Sequence, residues 1–254
     1  MIALEHELGV VDDEGTMWLC SNSDPKVFTT NAKSAVYLPQ SDTIYVLKDS
    51  GKVDVYTGSS CNTLRIPPVR AMAASHTHVL FYTTGNDPIY ALGSNRFSQL
   101  GQDHHSVQSI DGDPQPIGYF SGLSSTQGTI ACGLFHSAVI LDGDLYTFGW
   151  KKDGRLGWSD DDGIVGLAVF IDDNNEEIEI NAVKVACGSM HTLVVDDKGY
   201  VWTCGSNKYG QLGRTLQEQE EEEKFDNVFR RCSVFQNEKA IDCYAGRWNS
   251  FVLT

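Results

Sequence analysis

The sequence lacks the marks of several protein classes. It has seven cysteines, an odd number, and no C-x-x-C pair, so neither a complete disulfide framework nor a zinc ribbon is indicated. No N-x-[ST] glycosylation acceptor occurs. The N-terminal residues, MIALEHELGVVDDEG, lack a basic segment followed by an apolar run, and no stretch approaches the ~20 apolar residues of a membrane helix. We therefore expect a cytoplasmic or nuclear protein that does not associate with membranes.

Basic residues are also scarce. The chain has 34 acidic and 19 basic residues, which gives a formal net charge of -15 at pH 7. Proteins that bind nucleic acid use Lys and Arg to neutralise phosphates, and no run of basic residues is present. Direct binding to nucleic acid is therefore not expected, whereas an acidic surface favours solubility and attracts basic partners.

Signatures of catalysis and of cofactor binding are missing too. The glycines form no G-x-G-x-x-G before a helix and no Walker A loop, and no G-x-S-x-G nucleophile elbow occurs. A chain of 254 residues can bury a core without metals or disulfides. We therefore expect neither a cofactor nor an enzymatic activity, since scattered His and Asp residues alone do not indicate a hydrolase or a metalloenzyme.

What the sequence does contain is an internal repeat. Residues 131–157, ACGLFHSAVILDGDLYTFGWKKDGRLG, match residues 186–213, ACGSMHTLVVDDKGYVWTCGSNKYGQLG, with one residue more in the central turn of the second. A third copy spans residues 73–101. In all three, apolar runs rich in Val, Leu, Tyr and Trp flank a turn of Asp, Gly and Lys, which is typical of strands joined by hairpins.

Three weaker copies extend the pattern. Residues 6–22 and 43–58 keep the strand–turn–strand arrangement, and the chain ends in a half copy, residues 245–254, where Asn249 takes the place of a repeated histidine. No long stretch has a 3.6-residue apolar period, so we expect few helices. Repeated four-stranded units in an all-β chain predict a β-propeller, in which radial closure shields most strand edges.

The repeat resembles that of the regulator of chromosome condensation family, whose signature is roughly A-x-G-x-x-H-[ST]-x-x-[LV]…G-x-[VL]-[YW]-x-[WF]-G-x-N-x-x-G-Q-L-G. That signature is nearly complete at 186–213 and recognisable at 131–157 and 73–101. The family fold is a seven-bladed propeller closed by pairing of its N- and C-terminal segments. For this chain the resemblance implies one propeller domain, residues 1–254, with about six to seven four-stranded blades.

The same resemblance implies that the half copy at 245–254 pairs with the N-terminal segment. Family members usually begin with a G-x-N-x-x-G-Q-L-G half repeat, and this element is absent before His6. Three alternatives stay open: a smaller ring, a degenerate first blade, or an N-terminus that is incomplete relative to the family.

The family also suggests a function. Many single-propeller relatives act as adaptors or regulators, and the founding member catalyses nucleotide exchange on the Ran GTPase. We therefore expect a non-catalytic protein–protein interaction scaffold or regulatory subunit, with guanine-nucleotide exchange on a Ran-type small GTPase as the alternative. The expected partner is a protein: one with a basic surface, a chromatin-linked or tubulin-related regulator, or a small GTPase.

The repeated histidines, His78, His136 and His191, are the residues that most resemble a metal set. Each occupies the same repeat position, so a buried histidine that hydrogen-bonds a neighbouring backbone group explains them better than a metal site. Cys132 and Cys187 also share one repeat position, and packing as small apolar side chains is the better interpretation.

Two acidic clusters, Asp160–Asp162 and Asp172–Glu177, lack the spacing of a calcium loop, so solvated loop charge is the better interpretation. They lie in one of three long connectors, 103–129, 158–184 and 214–240, each of which must contain the outer strands of a blade.

Partner-binding candidates come from residues that depart from the repeat or concentrate charge. Trp and Arg are favoured as interface anchors, although a buried Trp that fills a blade is equally expected. The acidic run QEQEEEEK, 217–224, offers either a solvated loop or an electrostatic contact for a basic partner. The candidates are Trp150, Trp158, Arg247, Trp248, Glu220, Glu221, Glu222 and Glu223.

Overall fold

The computed structural model describes residues 2–4, 7–21, 24–158, 163–214, 225–235 and 238–254. Within these ranges the chain is built from strands, and its helical elements are three short 3-10 turns, Pro39–Ser41, Gly118–Phe120 and Lys152–Gly154. The expectation of few helices is confirmed. None of these elements is long or apolar enough to cross a membrane.

The chain divides into two compact units. The first, Met1–Ser94 with Ser109–Ser124, contains three four-stranded antiparallel sheets, each with its strands in chain order. Their strands are β1 (Ile2–Ala3), β2 (Leu8–Val11), β3 (Met17–Cys20), β4 (Lys26–Thr29), β5 (Ala32–Leu38), β6 (Thr43–Lys48), β7 (Val53–Thr57), β8 (Ser60–Thr63), β9 (Val69–Ala74), β10 (His78–Thr83), β11 (Ile89–Ser94) and β12 (Ser109–Pro116).

The second unit, Asn95–Gln108 with Ser125–Thr254, contains a four-stranded sheet β13–β16, a six-stranded sheet and a two-stranded sheet β23–β24. Its strands are β13 (Gly128–Cys132), β14 (His136–Leu141), β15 (Asp144–Gly149), β16 (Val165–Leu167), β17 (Phe170–Ile171), β18 (Glu177–Ile178), β19 (Ala182–Cys187), β20 (His191–Asp196), β21 (Val201–Ser206), β22 (Phe225–Arg231), β23 (Asp242–Ala245) and β24 (Ser250–Leu253).

Each predicted repeat corresponds to one sheet. The weak copies 6–22 and 43–58 form the hairpins β2–β3 and β6–β7, as their strand–turn–strand pattern predicted. The half copy supplies the end of β23 and all of β24, and these two strands pair with each other. Pairing of this half copy with the N-terminal segment, like the single domain 1–254, stays a prediction.

The three long connectors contain outer strands, as expected. Connector 103–129 holds β12, connector 158–184 holds β16 to β18, and connector 214–240 holds β22. In the last sheet β17 pairs in parallel with β22, which extends the blade β19–β22 to six strands in the order β18-β17-β22-β21-β20-β19.

The second strand of each strong repeat forms the core. Every residue of β10, β14 and β20 is buried, because both faces of the strand are covered. Near-continuous apolar runs such as SAVIL in β14 are what a strand buried on two faces requires, in contrast to the alternation of a half-exposed strand. Within the second unit, apolar residues of the sheets β13–β16 and β19–β22 share one core cluster.

A recurring aspartate closes the turn between the second and third strands. Oδ2 of Asp196 accepts a hydrogen bond from Nε1 of Trp202 at 2.9 Å, while its Oδ1 accepts backbone N–H groups of the turn. Asp12 and Trp18 make the same bond at 2.7 Å in the weak first copy. This bond holds the pKa of Asp12 below its usual value. The turn of the weak copy 6–22 therefore has the same aspartate–tryptophan bond as the strong repeat 186–213.

One glycine position is fixed by both conformation and space. Gly149 ends β15 with φ of 117°, in a region that side chains rarely adopt. A Cβ there would lie 2.5 Å from the carbonyl oxygen of Phe135 and 2.7 Å from Cα of His136. Gly205 repeats both constraints beside His191. The close approach of the two backbones at this strand end therefore requires a glycine.

We predict that Gly149→Ala destabilises the fold strongly. The substitution combines a strained positive φ with a backbone clash, and such combinations cost on the order of 3 kcal/mol or more in the free energy of unfolding. The matched control is Gly210→Ala, which also has a positive φ, 79°, but meets nothing within 4 Å. Urea denaturation followed by Trp fluorescence compares the two, and equal losses would contradict the assignment of most of the cost to the clash.

Candidate functional site

Two sets of loops meet at one end of each blade in the second unit. The register places His136 opposite Gly149 and His191 opposite Gly205. In antiparallel neighbours, the start of the second strand therefore lies beside the end of the third. The loop that joins the first two strands and the loop that follows the third strand consequently share one end of the blade.

The described loop segments at this end are rich in basic residues. The segments 95–101, 132–136, 149–157, 187–191, 206–213 and 245–250 contain six basic residues and one acidic residue. The acidic runs Asp160–Asp162 and Glu220–Glu223 belong to the same loops and lie outside the described residues. Large aromatic residues stand among the basic ones. We call this surface the aromatic-basic face; its members are Arg96, Phe97, Trp150, Lys151, Lys152, Lys208, Tyr209, Arg247 and Trp248.

The opposite end of the same blades carries acidic turns. Asp142 lies between β14 and β15, Asp196 ends β20, and Asp197 lies between β20 and β21. The segment Asp172–Glu177 lies at this end, since Asp172 and Asp173 line the same cavity as Asp196. Asp172 is committed to its own turn: its Oδ1 accepts the backbone N–H of Glu176, which lowers the pKa of this carboxyl.

Beneath the aromatic-basic face, the histidines connect consecutive repeats. Nε2 of His136 is 3.0 Å from Oγ1 of Thr192 in the next repeat, and the Thr192 hydroxyl donates to the carbonyl oxygen of Arg155 at 2.7 Å. His191 repeats this arrangement with Ser250, whose hydroxyl donates to the carbonyl oxygen of Gln211. A hydroxyl has one proton to donate, so the ring nitrogen is the donor in each pair.

The histidines are therefore structural in their contacts. They are buried, as predicted, and Nε2 of His136 and of His191 contacts a side-chain hydroxyl of the next repeat. His191 also has the expected hydrogen bond to a backbone group, that of Asn249, which partly opposes the lowering of its pKa. Burial lowers the pKa of His78 to about 3 and that of His191 to about 4, which keeps both rings neutral at pH 7. In the half copy Asn249 packs against Gly246 as His191 packs against Gly188.

The cysteines of the repeat also behave as packing residues. Cys187 is partly buried, and burial, with a smaller contribution from the Cys132 thiol, raises its pKa well above the usual value. A thiol held in its protonated form is a poor nucleophile and a poor metal ligand.

Arg155 is the residue that sequence reasoning missed. It stands at the repeat position of Gln99 and Gln211, and its side chain is fully buried. Its guanidinium donates to Asp153 at 2.9 Å and to the carbonyl oxygen of Ser189 at 3.0 Å. Burial lowers the pKa of Arg155, and the adjacent Asp153 carboxylate opposes that shift.

Trp150 lies directly over this ion pair. Its ring stacks on Phe97 at 4.7 Å between centroids, meets Phe135 edge to face at 5.7 Å, and has the Arg155 guanidinium 4.7 Å from its centroid. The ring is half-buried, so one part of it is committed to these contacts and another part is accessible. A lysine amine, that of Lys152, lies 5.7 Å from the same ring.

Trp158 is a core residue. It is 8% exposed, and its Nε1 donates to Oγ1 of Thr147 at 2.7 Å. Gly166 makes room for its ring, since a Cβ there would lie 2.2 Å from Cε2. Trp158 was expected to be either an interface anchor or a buried side chain that fills a blade. The structure shows the buried side chain, so Trp158 is not an exposed anchor.

Trp248 and Arg247 are exposed on the loop between β23 and β24. The Trp248 ring meets the Tyr209 ring edge to face, with centroids 5.6 Å apart; the two side chains are 41% and 61% exposed. The carbonyl oxygen of Arg247 accepts the backbone N–H of Ser189, which links this loop to the loop around Arg155. The sequence could have indicated Tyr209 and Phe97 as a recurring aromatic feature, because both occupy the same repeat position.

The remaining candidates, Glu220, Glu221, Glu222 and Glu223, and the cluster Asp160–Asp162 lie outside the described residues. Their role in contacting a basic partner, or in solvated loops, stays a prediction.

The sheets and loops can now be compared with known proteins. The Regulator of chromosome condensation (RCC1) repeat matches residues 86–140, 142–195 and 198–253. These matches cover more than half of the chain.

The chain belongs to the regulator of chromosome condensation family.

Two curated family members illustrate the relationship. The chain is 36% identical over 149 residues to the X-linked retinitis pigmentosa GTPase regulator homolog of Caenorhabditis elegans. The aligned region covers 57% of this chain and 10% of that protein. It is 29% identical over 205 residues to Protein RCC2 homolog of Danio rerio. That aligned region covers 72% of this chain and 39% of that protein. This chain therefore spans well under half the length of either relative.

The fold is that of the family propeller. The structure of Prp20p from Saccharomyces cerevisiae, described with its binding properties to Gsp1p and histones, superposes with a TM-score of 0.73 over 98% of this chain and 68% of that one. The two sequences are 15% identical, so this likeness concerns the fold alone. The predicted all-β propeller of the regulator of chromosome condensation type is confirmed.

We predict a pH dependence that comes from the buried histidines. In the unfolded chain a histidine titrates near pH 6.5, whereas His191 titrates at about 4 when folded. Between these values the unfolded state binds more protons, so the free energy of unfolding falls as the pH falls. From pH 7 to pH 5, His191 alone accounts for about 2 kcal/mol of this loss.

Urea denaturation of the wild type and His191→Asn at both pH values tests this. Asn249 shows that an asparagine fits the equivalent turn, and the variant should lose less stability than the wild type on acidification. His76→Asn, at an exposed position, is the matched control. A variant that loses as much stability as the wild type would contradict the assignment to His191.

Proposed function

We propose that this chain is a non-catalytic protein-interaction module of cytoplasm or nucleus, and that a protein partner contacts its aromatic-basic face. The observation that carries the proposal is the exposed pair Tyr209 and Trp248, held between the exposed cations Lys208 and Arg247. Trp, Tyr and Arg are the residues most enriched where interface binding energy concentrates.

The loops that carry this pair are held in place before any partner arrives. Oε1 of Gln211 accepts the backbone N–H of Tyr209 at 2.8 Å, and the backbone N–H of Gly246 bonds the carbonyl oxygen of Asn249. The Ser250 hydroxyl connects the second loop to the first through its bond to Gln211. A surface held in this way loses little conformational entropy on binding, which favours affinity.

Trp150 supports the same proposal from the neighbouring blade. Its stack with Phe97 and the buried guanidinium of Arg155, which pairs with the partly exposed Asp153, hold an accessible aromatic edge beside Lys151 and Lys152. Three of the four Trp and Arg candidates therefore lie on one surface, and Trp158 supports it from inside the blade.

We predict that a double variant, Tyr209→Ala with Trp248→Ala, loses the partner. Both side chains are largely exposed, so the fold should be retained while anchor contacts are removed, with a loss of roughly 2 kcal/mol or more in binding free energy. The tagged chain is purified from cytoplasmic and nuclear fractions of its own cells and its partners are identified by mass spectrometry. Tyr119→Ala, at a similarly exposed tyrosine, is the control.

A stoichiometric partner that is lost with the double variant and kept with the control supports the proposal. A partner kept by both variants would place the interface elsewhere. In that case the variant lacking residues 217–223 tests whether the acidic run contacts a basic partner.

A second candidate function is exchange of guanine nucleotide on a small GTPase. The similarity to a protein named as a GTPase regulator homolog favours it, but no residue of this chain is assigned to exchange, so the case rests on family analogy. Release of a fluorescent GDP analogue from a Ran-type GTPase, with the chain at micromolar concentration, measures this activity directly. An unchanged release rate would exclude exchange on that GTPase.

A further inference from the structure

A cavity opens beside the Tyr209–Trp248 pair. It measures about 280 Å³ and lies between the sheet β19–β22 and the two-stranded sheet β23–β24. Its walls are largely apolar, with Leu193, Val201 and Val252 among them. A volume of this size is at the lower end of those that take a small ligand or a side chain.

One residue that lines this cavity carries a buried polar atom without a partner among the described residues. Gln211 is 4% exposed and lines the cavity, and its Nε2 has no hydrogen-bond partner among the described residues. Its Oε1 is already used by the backbone N–H of Tyr209, which fixes the amide and leaves the NH₂ group as an unused donor. A buried donor without a partner is costly, so a ligand that brings an acceptor is favoured there.

The rim of the cavity is basic. Lys208 and Arg247 directly precede Tyr209 and Trp248, the two aromatic residues that line the cavity. Both cations are exposed, and neither has an acidic partner among the described residues. The two loops that contribute aromatic residues to the cavity therefore each carry an exposed positive charge next to that residue.

We propose that this cavity binds an acidic protein segment that inserts one aliphatic side chain. The aliphatic side chain packs on the apolar walls, a backbone carbonyl of the segment accepts the hydrogen bond of Gln211 Nε2, and flanking carboxylates pair with Lys208 and Arg247. This inference rests on the proposed function and adds to it the chemistry of the partner.

A nucleic acid strand fits these features less well. Single-stranded nucleic acid binds on aromatic rings that offer open faces for stacking. Here the two rings meet at an angle of 66°, so the pair offers no continuous stacking platform. The apolar cavity with a single amide donor instead matches an aliphatic side chain beside a peptide carbonyl.

Fluorescence anisotropy with defined probes tests the inference. The first probe is a short labelled peptide of Glu and Asp with one central Leu; the second has Gly in place of Leu, the third has Lys in place of each acidic residue, and the fourth is a single-stranded oligouridylate. Each is titrated with the full chain and with a variant lacking residues 217–223, so that the acidic run of the chain itself cannot mask the site. We expect the first probe to bind at least about ten-fold more tightly than the other three.

Variants then locate the site. Lys208→Ser and Arg247→Ser should each weaken the first probe several-fold, and Lys198→Ser, at the opposite end of the same blade, is the matched control. Gln211→Glu keeps the acceptor of the Tyr209 N–H and removes the NH₂ donor, so it should weaken the peptide with Leu more than the peptide with Gly.

Three results would overturn the inference: equal binding of the Lys and acidic peptides, tighter binding of the oligouridylate, or equal effects of the Lys208 and Lys198 variants. Failure here is distinguishable from failure of the proposed function. If the cellular partner depends on Tyr209 and Trp248 while the acidic peptide does not bind, the interaction face stands and the chemistry assigned to its partner is wrong.

Discussion

The connection between consecutive repeats in the second unit depends on a three-membered hydrogen-bond chain. A buried histidine donates to the hydroxyl of the next repeat, and that hydroxyl donates to a carbonyl oxygen in the loop of the first. All three groups are inside the fold, so their polar atoms must satisfy one another. The chain of bonds joins the start of one blade to the loop of its neighbour, which sets where those loops lie. The recurring glycine opposite each histidine has a separate cause, since a Cβ at Gly149 or Gly205 would collide with the backbone of the histidine strand.

These hydrogen bonds also hold the loops of the aromatic-basic face in place. Carbonyl oxygens of Arg155 and Gln211 accept the hydroxyl protons, so the loops that carry Trp150 and Tyr209 are tied to the following blade. At Arg155 the repeat departs from its pattern, because an arginine cannot accept a hydrogen bond as Gln211 does. Asp153 neutralises its charge inside the fold, and Trp150 covers it. Residues that differ between repeats, such as Trp150 and the buried Arg155, therefore shape the aromatic-basic face, while hydrogen bonds that recur between repeats hold its loops in place.

Charge is distributed unevenly along the blades of the second unit. Turns between second and third strands carry aspartates, some of which are used by backbone N–H groups and by indole Nε1, while the described loop segments at the other end carry lysine and arginine. The net charge of -15 conceals this separation. An interaction through the basic end is favoured by acidic partner groups and weakened by salt, since exposed charges are screened beyond about 10 Å at 0.1 M ionic strength.

The sequence by itself determined the repeat, and the repeat determined the blades. Spacing of the histidines, glycines and apolar runs predicted strands joined by hairpins, few helices and the propeller class, because these features act locally and recur. It also favoured a structural role for His136 and His191, although not their hydroxyl partners, which lie in the next repeat and become neighbours only on folding. Only the tertiary structure decided between the two interpretations of the tryptophans: Trp158 turns inward beneath Gly166, whereas Trp248 meets Tyr209 at the surface. Burial of Arg155, and an Nε2 of Gln211 that has no partner among the described residues, were likewise decided there, because both depend on which blade packs against which loop.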